Sequence, residues 1–167
     1  YKRQQITPAG VVIPKSIDDV KTVLSIASEE GYSVLPRGGG TSQCGQTVNE
    51  SLVVDVSKYL NSVLEVNPEE RSVVVESGVV LDQLNDMLRH HGLWFPVDIS
   101  TSAQATIGGM AGNNSCGARS IKYGTMRDNV LEITAVLPDG NQSKFGPDNS
   151  ISESGSYRDL KLSLIHI

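Results

Sequence analysis

Residues 33–42 read SVLPRGGGTS, an apolar strand pattern that runs directly into three consecutive glycines. Glycine adopts positive φ without steric cost, so successive N–H groups in such a loop can point at one anion. Thr41 and Ser42 add hydroxyl donors and Arg37 adds a positive charge. No Gly-Lys-Ser/Thr follows, and residues 43–50 do not open a helix, so neither a P-loop nor a Rossmann fingerprint is present. The pattern indicates an anion-binding loop; a flexible glycine loop without a ligand remains the alternative.

The residues before this loop predict a βαβ unit. Val11 to Ile13 form an apolar run bounded by Gly10 and Pro14, which is typical of a buried strand. Ser16 can cap a helix whose apolar positions, from Ile17 to Ala27, recur at helical spacing, and Gly31 is suited to end it. The strand at 33–36 completes the unit, and a further strand is expected at 52–56. We predict a first lobe over residues 6–57.

The residues that follow predict a second lobe over 58–146. Strand-like segments at 62–66 and 72–76 flank the turn at 67–70 and should form a hairpin. An amphipathic helix with leucines at 81, 84 and 88 should end at Gly92. A long strand is expected over 129–137, followed by a turn at 138–141 and a returning strand at 142–145. The fold class is therefore α+β, with a small βαβ lobe and a mostly antiparallel second lobe with helices.

A second glycine-rich segment spans residues 106–117 and reads TIGGMAGNNSCG. We predict a short helix over 107–113, although each interior glycine costs a helix about 1 kcal/mol. A helix that begins near Thr106 would direct its N-terminal amides at an anion. Tight core packing is the alternative explanation for the small residues. Two glycine motifs in one small protein favour a dinucleotide or a similar diphosphate ligand.

Composition excludes several classes of protein. The chain has 167 residues, of which 20% are charged and 38% hydrophobic, and no apolar run approaches the ~18 residues of a membrane-spanning helix. A net charge of −5 and 5% aromatic residues argue against nucleic-acid binding. Two cysteines are too few for a disulfide scaffold or a four-cysteine zinc site. Residues 147–167 resemble a linker with a truncated end, so we expect a piece of a longer protein.

Four segments together resemble one flavoprotein family. They are the loop at 36–42, the GLWFPVD stretch at 92–98, the segment 106–117, and YGTMRDNV at 123–130, which leads to Pro-Asp-Gly at 138–140. In this order they resemble the PCMH-type FAD-binding domain of the vanillyl-alcohol oxidase / p-cresol methylhydroxylase superfamily. Among its branches, the match resembles most the FAD-linked D-2-hydroxyacid dehydrogenases, which act on lactate, glycolate or 2-hydroxyglutarate. The form of residues 113–117 resembles members that are fused to, or work with, an iron–sulfur protein.

The resemblance implies a set of cofactor-binding residues. They are Arg37, Gly38, Gly39, Gly40, Thr41 and Ser42 around the pyrophosphate; Pro96 and Asp98 along the cofactor; Thr106, Gly108, Gly109, Asn113, Ser115 and Gly117 on the flavin, ribityl and phosphate side; Tyr123 and Gly124 closing the site; and Ile133 at the adenine. Position 40 is glycine where covalently linked relatives carry histidine, so the resemblance implies non-covalent FAD. Val97 departs from the proline of many relatives.

The implied reaction is hydride transfer from the substrate carbon to flavin N5. In the family, the base that takes the hydroxyl proton and the cations that bind the carboxylate belong to a substrate domain, often with a metal held by histidines. We expect that domain to be absent here, so no catalytic residue and no metal ligand is assigned. Another flavin enzyme of the same fold, such as a sugar or lactone oxidase, and a non-catalytic nucleotide-binding module remain alternatives. A cytoplasmic location is expected, with peripheral membrane contact left open.

Other residues have weaker functional interpretations. Cys44 and Cys116 each flank a glycine motif; two buried small residues are favoured over a redox pair. Arg119, Lys122 and Arg127 are the basic residues nearest the expected diphosphate, and they either balance its charge or are solvated.

Overall fold

The computed structural model describes residues 6–146. Within them, three short strands, β1 (Gly10–Val12), β2 (Val34–Arg37) and β3 (Leu52–Asp55), form one parallel sheet. β3 lies between β1 and β2, so the two strands of the βαβ unit are parallel but are not neighbours. Val53 and Val54 are buried at the centre of this sheet, because the middle strand is covered on both faces. The first glycine loop begins directly after the carboxyl end of β2.

Helix α1 (Ile17–Glu29) connects β1 to β2 and begins and ends as the sequence predicts. The Ser16 hydroxyl accepts a hydrogen bond from the Asp19 N–H, and the Asp19 carboxylate accepts one from the Ser16 N–H. At the other end Gly31 has a φ of +73°, and the N–H of Tyr32 donates to the carbonyl of Ala27.

The part of the chain after β3 begins with the hairpin of β4 (Val63–Asn67) and β5 (Ser72–Val75), which are antiparallel. Helix α2 (Leu81–Arg89) follows and buries Leu81, Leu84 and Leu88. Helix α3 (Ile107–Gly112) is the short glycine-rich helix expected from the sequence. Val97, Ala105, Met110 and Met126 pack with Leu81 to form the core beneath α3.

The prediction of one long strand over 129–137 is wrong for its first residues, 129–132. Residues Met126–Asn129 form helix α5, after the single turn α4 (Ser120–Tyr123), and the strand β6 is confined to Ile133–Val136. The Asp128 carboxylate accepts from both the N–H and the hydroxyl of Thr125, and the Asn129 amide donates to the Tyr123 and Thr125 carbonyls. These local bonds stabilise a turn where apolar content alone suggested a strand.

β6 pairs antiparallel with β7 (Gln142–Phe145) through the turn at 138–141, as predicted. Within residues 6–146 the antiparallel strands form two separate two-stranded sheets. No helix of this described part is long and apolar enough to cross a membrane.

Candidate functional site

The first glycine loop follows β2, and the backbone N–H groups of residues 38–42 have no acceptor within residues 6–146. Among the hydrogen bonds of residues 6–146, none uses an N–H of residues 38–42 as its donor. The last ladder bond on this side runs from the Val56 N–H to the Arg37 carbonyl at 3.0 Å. Five successive amides at the carboxyl end of a parallel strand therefore have no partner within residues 6–146, which is an arrangement that an anion can satisfy.

Two glycines of this loop are required by packing against the second lobe. A Cβ on Gly38 would overlap the Thr106 hydroxyl, and one on Gly39 would overlap the Gln104 carbonyl oxygen. Gly40 has a φ of +63°, and a Cβ added there would lie 2.6 Å from a guanidinium nitrogen of Arg37. The close approach of the two chain segments, rather than flexibility, explains why these positions lack side chains.

The expectation that α3 directs its N-terminal amides at an anion is wrong. The Ile107 N–H donates to the Val79 carbonyl at 2.8 Å, and the Gly108 N–H donates to the Ser77 carbonyl at 2.9 Å. The Gly109 N–H is capped by the Thr106 hydroxyl at 3.3 Å. Protein acceptors thus satisfy this helix end, whereas no hydrogen bond within residues 6–146 uses an N–H of residues 38–42 as its donor.

The Thr106 side chain is buried against other protein segments rather than open to a ligand. It is 1% exposed, it caps α3, and its side chain fills the space left by Gly38. Gly108 is similarly packed, since a Cβ there would lie 2.6 Å from that of Ser77. Both residues were expected to line the cofactor, and in the structure they hold α3 against neighbouring protein segments. Gly109, by contrast, is exposed on α3.

The structure brings the two glycine motifs together through one hydrogen bond. The side-chain amide of Asn113 donates to the Ser42 hydroxyl at 2.8 Å. Both side chains were expected at the cofactor from the sequence, and this contact joins the loop after β2 to the end of α3. Ser115, two residues after Asn113, is half-buried, and its N–H donates to the Met110 carbonyl at 2.9 Å.

Asn114 is a site residue that sequence reasoning missed. It has a φ of +45°, a left-handed conformation that Asn tolerates better than most residues. Its side-chain oxygen accepts from the Arg127 N–H at 2.8 Å and from the Thr125 hydroxyl at 3.1 Å. Asn114 thereby ties the loop after α3 to α5. The neighbouring pair Asn113-Asn114 in the sequence was the available signal, since Asn is enriched at positive φ.

Asp98 organises the loop that follows. Its carboxylate accepts from the Arg119 N–H at 3.0 Å, and its backbone carbonyl lies where a Cβ of Gly117 would sit. Asp98 and Gly117, both expected along the cofactor, are therefore packed against each other. The half-buried Pro96 and the fully buried Val97 lead into this contact.

Tyr123, Gly124 and Ile133 were also predicted to bind the cofactor, and each has a different environment. Tyr123 is 39% exposed and meets Trp94 edge-on, with ring centroids 5.3 Å apart. Gly124 has a φ of +83° and packs on Asp128. Ile133 lies on β6, paired with Phe145, in a different sheet from β2. Its contact with an adenine stays a prediction.

Both cysteines are exposed, so the expectation that Cys44 and Cys116 are buried small residues is wrong. Each lies in a loop beside a glycine segment rather than in the core, which explains the exposure. Among residues 6–146, no group of three or more His, Cys, Asp or Glu side chains is placed to hold a metal ion.

Fold and site together define a flavin-nucleotide domain, and the chain belongs to the FAD binding domain family, whose model matches residues 8–146. The chain is 44% identical over 140 residues to the D-2-hydroxyglutarate dehydrogenase of Escherichia coli strain K12, which covers 82% of this chain. It is 38% identical over 159 residues to the D-lactate dehydrogenase of Archaeoglobus fulgidus, which covers 94% of it.

The fold is shared with a solved oxidase structure. The 6-hydroxy-D-nicotine oxidase of Arthrobacter nicotinovorans superposes with a TM-score of 0.79 at 23% identity, over 89% of this chain and 32% of that one. The α+β, PCMH-type architecture expected from the sequence is thereby confirmed. The chain spans 14% of the length of the Escherichia coli relative and 34% of the Archaeoglobus relative.

Proposed function

We propose that this chain is the FAD-binding module of an oxidoreductase that oxidises a D-2-hydroxy acid of the lactate, glycolate or 2-hydroxyglutarate class. The observation that carries the cofactor assignment is the row of five unpartnered amides at 38–42, which suits a diphosphate. The names of the relatives, D-2-hydroxyglutarate dehydrogenase and D-lactate dehydrogenase, support the substrate class.

The residues of the loop fit the cofactor. The amides at 38–42, with the hydroxyls of Thr41 and Ser42, would hold the pyrophosphate, and Asn113 would fix the loop through its bond to Ser42. Arg37 is exposed beside Gly40, where its positive charge would balance the negative charge of the phosphates. Position 40 carries no histidine for covalent attachment, so the FAD is held non-covalently.

Bound FAD would supply the hydride acceptor, and this chain would hold and orient it. Gly109 and Asn113, exposed on α3 and at its end, are the predicted cofactor-binding residues of the second motif that are open to a ligand. No residue of this chain is assigned as the proton-accepting base or as part of the substrate carboxylate site. The proposal of an iron–sulfur or other electron-transfer partner is supported by the sequence of residues 113–117 alone. A cytoplasmic or membrane-peripheral location stays a prediction.

An absorption spectrum of the purified protein with added FAD tests the proposal. We expect a flavin spectrum that stays with the protein on gel filtration and passes entirely into the filtrate after heat denaturation. Removing the Ser42 hydroxyl (Ser42→Ala) should weaken FAD binding about fivefold, since one hydrogen bond contributes about 1 kcal/mol.

Ser25→Ala is the matched control, because the Ser25 hydroxyl donates only to Glu29 on the surface of α1. Its FAD affinity should equal that of the parent chain. A folded protein that binds no FAD would contradict the proposal, and flavin that remains on the denatured protein would contradict non-covalent binding.

A further inference from the structure

An exposed cluster of aromatic and cationic side chains lies beside the loop that Asp98 organises. The Arg119 guanidinium lies 5.0 Å from the centre of the Trp94 ring, and the Lys122 ammonium lies 5.0 Å from that of Tyr123. Ile121, between them on α4, is 99% exposed. Trp94, Arg119, Ile121, Lys122 and Tyr123 are called the Trp94 patch below.

The two cations of the Trp94 patch have no carboxylate partner in the described part of the chain. The ion pairs found within residues 6–146 join Lys21 to Asp18, Arg89 to Asp86, and Lys144 to Glu132. Arg119 is instead held in place through its backbone N–H by Asp98, and its guanidinium stacks on Trp94. A protein of net charge −5 thus presents two unpaired positive charges around one bare apolar side chain.

We infer that the Trp94 patch docks an acidic partner protein whose surface places carboxylates over Arg119 and Lys122 and an apolar side chain against Ile121. Trp, Tyr and Arg are the residues most enriched at the energetic centres of protein interfaces. Arg119 and Lys122 supply charge complementarity, and the stacked rings keep both side chains ordered before binding, which lowers the entropic cost of association.

A membrane surface fits this patch less well. Electrostatic attachment to anionic lipid uses clusters of roughly four to eight Lys or Arg residues, and the Trp94 patch has two. α4 has four residues, too few for an amphipathic helix that lies in the lipid interface. The net negative charge of the chain adds repulsion.

The test uses a peptide probe and the fluorescence of Trp94, which is the only tryptophan of the chain. The probe is a capped peptide of two leucines flanked on each side by two glutamates, and its matched control carries glutamines instead. We expect saturable quenching or a spectral shift with the glutamate peptide alone, weakened by added salt. Polarisation of a dye-labelled peptide gives a second readout that does not depend on Trp94.

Substitutions then locate the contact. Arg119→Gln and Lys122→Gln should each weaken peptide binding on the order of twofold to fivefold, as expected for exposed charge pairs. Ile121→Ser should weaken it on the order of tenfold through lost apolar burial. Lys58→Gln is the control, because the Lys58 ammonium also lies over an aromatic ring, that of Tyr59 at 5.3 Å, and should change nothing.

Four outcomes would overturn the inference. The first two are the absence of peptide binding at millimolar concentration and equal binding of the glutamine peptide. The third is binding of phosphatidylglycerol vesicles or of glutarate in place of the peptide, with the same loss of binding in the variants. The fourth is concentration-dependent self-association that Ile121→Ser abolishes. FAD binding is measured on the same samples, so failure of the Trp94 patch is distinguished from failure of the proposed cofactor.

Discussion

Gly39 shows how a single missing Cβ positions the site. The residue is exposed on one side, yet its other side faces the Gln104 carbonyl so closely that no side chain fits. The contact brings the first glycine loop against the segment before α3. The open amides of the loop and the second motif are therefore parts of one surface.

Gly39→Ala should destabilise the protein because backbone atoms of Gln104 cannot move aside as a flexible side chain would. We expect the free energy of unfolding, from urea denaturation, to fall by about 1–3 kcal/mol. Gly112→Ala is the matched control, since its added Cβ would meet nothing within 4 Å and alanine is the better helix former. Equal stability of the parent and Gly39→Ala would contradict the packing argument.

The sequence indicated which residues gather at the site better than it indicated their roles. The prediction of an anion-binding loop at 38–42 rests on three glycines after a strand, a local pattern. The roles of Thr106 and Asp98 depend on neighbours distant in sequence, Gly38 and Gly117, and so could not be read locally. Asn114 was missed for the same reason, because its partners lie on α5.

At the scale of elements, α1 was predictable to within a few residues because its signals are local. Ser16 and Asp19 form a reciprocal cap, and the carboxylate of Asp19 also accepts from the Lys15 N–H at 2.8 Å. The strand β6 was predicted too long because α5 depends on side-chain bonds from Asp128 and Asn129 that apolar periodicity does not detect.

The cap of α1 makes stability depend on pH in a defined direction. The hydrogen bond from the Lys15 N–H, with those from Ser16, holds the pKa of Asp19 below its usual value of 3.8. A lowered native pKa means that the stabilisation is present at neutral pH and is lost as the pH falls through that native value. Asp19→Asn should therefore lower the melting temperature at pH 7, and the difference from the parent should shrink below pH 3.8.

Asp18→Asn provides the control for this effect. Asp18 lies in the same first turn, but its carboxylate pairs only with the exposed Lys21 ammonium at 3.3 Å. We expect a smaller loss of melting temperature, measured by circular dichroism across the same pH range. A loss for Asp19→Asn that stays constant down to pH 2 would contradict the assigned cause.

At the scale of the whole molecule, segments distant in sequence meet through close backbone contacts at glycines. Gly38 and Gly39 lie against residues 104–106, and Gly78 lies against the carbonyls of Val56 and Leu60. The architecture was predictable because four separate motifs in one order resemble a single family, and the family match over residues 8–146 confirms it. The parallel order β1-β3-β2 was not, since strand neighbours depend on long-range pairing.

The central claim is that the amides at 38–42 hold the cofactor phosphates, and amide NMR of the isotope-labelled protein during an FAD titration tests it most directly. We predict large shifts for the N–H resonances of residues 38–42, which have no acceptor in the described part of the chain. The N–H resonances of Ile107 and Gly108 should move much less, because the Val79 and Ser77 carbonyls already hold them. Large shifts at Ile107 and Gly108 with none at 38–42 would contradict the claim.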